Sequence, residues 1–146
     1  MQLNFDISKP IYEQIIAEIK RSLVRGDLKP GSKLPSQREL ARELQINHNT
    51  VQRAYREMEG VNLVKTIRGM GTYLSENEEL VIEIRKEMAN TCINSFVAEM
   101  FSLGMDGEEI IDLVKKSVKK FAKWRGESNE WISYSDFRFN QEFPGG

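Results

Sequence analysis

The chain reads as a mainly α protein with a small β-hairpin. Three observations predict this. Apolar residues recur at helical spacing in five separate stretches. One pair of short runs rich in strand formers, Leu63 to Ile67 and Gly71 to Leu74, is parted by Arg68-Gly69-Met70. Proline and glycine fall between these stretches rather than inside them.

The first helix opens at Pro10, where a missing N–H costs nothing, and Ile11, Ile15, Ile16, Ile19 and Leu23 mark its inner face up to Gly26. Asp27 to Pro35 carries two prolines and a glycine and is expected to be a turn-rich connection. Ser36-Gln37-Arg38-Glu39 then forms a capping box, so a second helix starts there and buries Leu40, Ala41 and Leu44. It is short, because Asn47 is a second N-cap candidate. A third helix over about 48–59 buries Val51, Ala54, Tyr55 and Met58 and turns His48, Asn49, Gln52, Arg53 and Arg56 outward. A short helix, a tight turn and a helix with a hydrogen-bonding outer face make a helix-turn-helix, and the hairpin with its basic, glycine-bearing tip makes a wing.

Beyond the wing, Leu80, Val81, Ile84, Met88, Cys92, Ile93, Phe96, Val97, Met100 and Phe101 predict a long helix over 77–103, broken at Gly104-Met105-Asp106-Gly107. A further amphipathic helix over 108–124 sets Ile110, Ile111, Val114, Val118 and Phe121 against a row from Lys115 to Lys123. Two helices cannot hide both apolar faces from water by themselves, so a dimer interface is expected at Leu80, Ile84, Met88, Phe96, Met100, Ile110, Val114, Val118 and Phe121. The expected organisation is a winged helix-turn-helix over 1–75, a two-helix dimerisation arm over 76–124, and an unassigned aromatic-rich tail over 125–146 holding Trp131, Tyr134, Phe137, Phe139 and Phe143. No internal repeat is present.

Composition narrows the function classes. With 146 residues, 40% hydrophobic and 29% charged, the chain is of globular type and fits one medium domain or one small domain with an appendage. The opening residues lack the basic start and apolar stretch of a secretory signal, and no apolar run nears the roughly 18 residues of a membrane span, so a cytoplasmic location is expected. One Cys and one His cannot assemble a zinc site of ordinary ligand count, and neither metal nor cofactor is expected. The net charge is −1, but residues 1–74 hold 12 Lys+Arg against 8 Asp+Glu while residues 75–146 hold 9 against 14. A basic first half beside an acidic second half is the pattern of a chain whose first half alone touches phosphate.

The N-terminal stretch resembles the GntR family of bacterial repressors. Connected motifs carry the resemblance: Pro10-Ile11-Tyr12-Glu13-Gln14-Ile15, the run from Leu28 to Ala41, Asn49-Thr50-Val51-Gln52-Arg53-Ala54-Tyr55, and Arg68-Gly69-Met70-Gly71-Thr72-Tyr73. The short arm is similar to the YtrA-like subgroup and too short for the sensor or aminotransferase-like domains of other members. The resemblance implies a homodimer on a double-stranded DNA operator, with contacts from Arg38, His48, Asn49, Thr50 and Gln52 and from the wing residues Arg68 and Gly69. Arg53, also facing outward, joins them as a phosphate contact. Asn and Gln side chains suit adenine N6 and N7, while Arg and a Thr hydroxyl suit phosphate. Two positions depart from the family pattern: His48 stands where many members have Arg, and Asn62 stands where glycine is usual. The resemblance leaves a small-molecule effector open and does not extend to the tail.

Bland readings compete for several of these residues. Arg53 and Arg56 also suit a solvated helix face, as does the Lys115 to Lys123 row. Tyr55 and Met58 read as core, and Met88, Met100 and Phe101 as dimer core rather than an effector pocket. Ser36 is a cap, with no histidine placed to make it a nucleophile, so an enzyme is rejected. The rival from another class is a winged protein-interaction module without DNA binding, but such a surface would expose apolar anchors where Asn49, Gln52 and Arg53 stand.

Overall fold

The structure, a computed structural model, describes residues 3–128, which form two compact units, one running to Ala89 and the other beginning at Asn90. The first holds α1 (Ile11–Arg25), α2 (Gln37–Leu44), α3 (His48–Gly60), β1 (Val64–Ile67), β2 (Gly71–Leu74) and the opening turns of α4 (Glu78–Ser102). The rest of α4 and α5 (Gly107–Ser128) belong to the second.

Pro10 precedes the first turn of α1, and Gly26 closes the helix with a left-handed φ of 86°. Between them Ile15, Ile19 and Leu23 face inward and meet Leu40, Val51, Ala54, Met58 and Leu63 in one core. The capping box at α2 is complete. The Ser36 hydroxyl accepts from the Glu39 amide at 3.2 Å, and the Ser36 amide donates to Glu39 Oε2 at 2.8 Å. Asn47 caps α3 as expected, its Oδ1 accepting from the Asn49 amide at 2.8 Å. Gln45, at φ 55°, makes the turn between the two helices in the left-handed region, and Asn62 does the same after α3 at φ 59°. Asparagine tolerates that region better than most residues, which explains its standing in for glycine at 62.

The hairpin pairs Val64 with Leu74 and Ile67 with Gly71 in antiparallel register. At its tip the Met70 amide donates to the Ile67 carbonyl at 3.0 Å, with Gly69 third of the four residues at φ 79°, a turn that favours glycine there. The connection before α2 is more ordered than a turn. Leu34 N–H donates to the Thr72 carbonyl at 2.8 Å and Leu74 N–H to the Ser32 carbonyl at 2.9 Å, so Lys33 pairs with Tyr73 and the segment covers the open edge of β2. Pro30 and Pro35, with only Gly31 to Leu34 between them, hid this third strand-like piece from the pattern of the sequence.

The boundary expected at Ser75 lies further along. Ile84 is buried in the core of the first unit, and Leu80, Val81 and Met88 pack against it. The first turns of α4 therefore complete the winged unit rather than begin a separate arm. In the second unit Asp106 caps α5 by accepting from the Glu109 amide at 2.9 Å. Helix α5 runs on through 125–128, and the remainder of the aromatic-rich tail, 129–146, lies outside the described residues.

Candidate nucleic-acid interface

The inner face of α3 is fixed by burial: Val51, Ala54 and Met58 are fully enclosed and Tyr55 nearly so. The Tyr55 hydroxyl donates to the Pro35 carbonyl at 2.6 Å, which ties α3 to the residue just before the α2 cap. Burial pushes the Tyr55 phenol well above its ordinary pKa, with the Glu39 and Glu43 carboxylates adding to the shift, so the hydroxyl stays a donor. With that side locked, helical geometry leaves one outer face.

That face carries His48, Asn49, Gln52, Arg53 and Arg56, all exposed, with Thr50 half-buried at its margin. Arg38 is exposed on α2, and Arg68 and Gly69 are exposed at the hairpin tip. Asn49, Thr50 and Arg53 come together with Pro10, Ile11 and Tyr12 around an open cleft of about 430 Å³. Arg38, Gln52 and the two wing residues lie outside that cleft. The arrangement offers amide and guanidinium donors on a helix narrow enough for the major groove, flanked by a glycine-tipped basic hairpin.

Arg53 is not simply solvated. Its Cζ stands 3.8 Å from the centroid of the Tyr12 ring, and its Nε donates to Glu57 Oε1 at 3.4 Å. Tyr12 in turn donates to Glu13 Oε1 at 3.0 Å, the main reason its phenol sits above its ordinary pKa. No local periodicity links Tyr12 with Arg53, so the sequence motif containing Tyr12 gave it no role. Lys33 also escaped notice. Its side chain lies over Gly71, where an added Cβ would meet Lys33 Cε at 2.6 Å.

The residues expected at a dimer interface divide. Ile84 is buried within its own unit and Leu80 and Met88 pack against that core, so these three root the arm. Ile110 is buried as well. Phe96, Val118 and Phe121 are exposed, and Met100 and Val114 are half-buried. Among the described residues no group of His, Cys, Asp or Glu could hold a metal ion, and no helix is long and apolar enough to cross a membrane.

Comparison with known proteins agrees with this geometry. The model of the family described as bacterial regulatory proteins, gntR family, matches residues 11–74. An uncharacterized HTH-type transcriptional regulator, YhcF of Bacillus subtilis, is 44% identical over 79% of this chain and 95% of its own length. The HTH-type transcriptional repressor YtrA of the same organism is 38% identical over 80% of this chain and 90% of its own. A solved GntR family transcriptional regulator from Listeria monocytogenes superposes with a TM-score of 0.73 at 43% identity, covering 77% of this chain and 98% of that one. The matched region takes in the capped α2, the outward face of α3 and the wing together, and the two Bacillus relatives extend past it over most of their own length. The chain belongs to the gntR family of bacterial regulatory proteins: it is a winged helix-turn-helix, DNA-binding regulator of transcription and not an enzyme.

Proposed function

We propose that this regulator is a cytoplasmic repressor that binds a two-fold operator as a homodimer. The observation that carries the reading is the outer face of α3, where Asn49, Gln52 and Arg53 are exposed while the opposite face is locked into the core. Asn49 and Gln52 read base edges in the major groove. Arg38, Thr50 and Arg53 take backbone phosphates, with His48 beside them at the start of α3, and Arg68 and Gly69 bring the wing to the flanking groove. Repression is favoured by the likeness to YtrA of Bacillus subtilis, which is named a repressor.

Dimerisation is supported by what the second unit leaves open. Ile93 is 50% exposed, Phe101 56% and Val118 59%, with Phe96 at 36%. Apolar surface of that density on a monomer marks an interaction site. A second copy covers it and joins two α3 helices on half-sites about 34 to 36 Å apart, one turn of DNA. Linking the half-site contacts in this way raises affinity by about 10² to 10⁴.

The test is a protection experiment on DNA upstream of the protein's own gene. The expected result is an inverted repeat protected by two chains per duplex. Protection of a single half-site by one chain would contradict the dimeric reading, and no protection anywhere would count against autoregulation.

A further inference from the structure

The geometry points to Tyr12 as a positioning residue for DNA binding: its ring fixes the Arg53 guanidinium at the cleft it shares with Thr50, where one backbone phosphate of each half-site is held. This rests on the DNA-binding reading above. At about 100° per residue, Arg53 and Thr50 lie on the flank of α3 on one side of Asn49, while Gln52 and Arg56 lie on the other. The Arg53 flank is the one that lines the cleft with Pro10, Ile11 and Tyr12. Base reading belongs to the crest and backbone contact to such a flank.

An exposed arginine ordinarily samples many rotamers, and ordering it opposes every contact it makes. Arg53 already has two partners. The Tyr12 ring lies under its Cζ at 3.8 Å, and Glu57 engages its Nε at 3.4 Å. No hydrogen bond among the described residues occupies its two terminal amino groups, which are the pair that grips phosphate oxygens in a bidentate manner. The Thr50 side chain lines the same cleft and brings a hydroxyl donor. Tyr12 does not touch DNA in this arrangement; it acts through Arg53.

Tyr12 also packs against the core, so a loss of affinity alone would not separate positioning from structure. The separating readout is the slope of log affinity against log salt, measured with the full chain and a duplex enriched from a random pool by that chain. Tyr12→Phe keeps the ring face and should keep the wild-type slope. Tyr12→Leu keeps apolar bulk without the ring, and it should flatten the slope as Arg53→Ala does, by about 0.9 per half-site for one lost phosphate contact. The double variant should flatten it no further than either single one. Reduced affinity with an unchanged slope in Tyr12→Leu would overturn the inference, as would flattening in the double variant equal to the sum of the two. Wild-type binding that ignores salt would overturn the DNA-binding reading itself, and it would be seen before any variant is made.

Discussion

Asn49 and Gln52 show how much one side chain's direction decides. Their polarity alone is compatible with any solvated helix, and what singles them out is that Val51, Ala54, Tyr55 and Met58 leave α3 no freedom to roll. Replacing either with Ala should relax base preference at one operator position by about 1 to 3 kcal/mol of discrimination, because a bidentate amide contact is lost. Parallel selection of operators by wild type and variant measures this. Unchanged preference for both variants would remove α3 as the reading helix. Residue by residue, the outward face was legible because helical periodicity is local. The partner of the Tyr55 hydroxyl and the stacking of Arg53 on Tyr12 were not, since both depend on which helix is laid against which.

At the scale of elements the caps were legible and the strand-like edge was not. The Ser36 box and the Asn47 cap are each set by contacts within three residues. Lys33 is set beside the hairpin by its neighbours, Leu34 donating to Thr72 and Ser32 accepting from Leu74, in hydrogen bonds that tertiary folding creates. Ser36→Ala should cost about 0.5 to 2 kcal/mol in urea unfolding. Hydrogen bonds from the Ser36 main chain, then its side chain, hold the Glu39 carboxyl below its ordinary pKa. A carboxyl lowered in the folded state contributes stability above its unfolded pKa and loses it as pH falls through the folded value. The stability gap between wild type and Glu39→Gln should thus be present at neutral pH and close below about pH 4. A gap unchanged by acid would detach Glu39 from the cap.

Apolar residues run along the whole of the long helix α4. Leu80, Ile84 and Met88 follow one another at helical spacing and belong to the core of the first unit, while Ile93, Phe96 and Met100 lie beyond Asn90 in the second. The sequence reads as a single broad stripe, because apolar residues recur without interruption and only the buried core shows which of them are taken. Ile84→Ala should destabilise the winged unit by about 2 to 5 kcal/mol in urea without altering assembly. On the dimeric reading proposed above, Phe96→Asp should leave unfolding of the winged unit unchanged and yield a monomer in sedimentation. The opposite assignment of effects would place the dimer seam on the root of α4.

Across the whole molecule, charge changes sign along the chain after the wing, ahead of the division between the two units. The first 74 residues carry the excess of Lys and Arg, and they hold α2, α3 and the wing, while the acidic excess falls on the remainder. The order of elements and their family were legible because each is announced by a cap, a periodic face or a turn residue. The boundary was misplaced because α4 serves two units within one unbroken helix. Operator binding by the intact chain, measured over a salt series, separates phosphate contact from any other use of the winged unit. A dimer using 6 to 10 phosphate contacts should lose about 10³ to 10⁵ in affinity between 50 and 200 mM salt, log affinity falling linearly with log salt. Affinity indifferent to salt, or no binding at the lowest salt, would contradict a regulator that holds DNA through α3 and its wing.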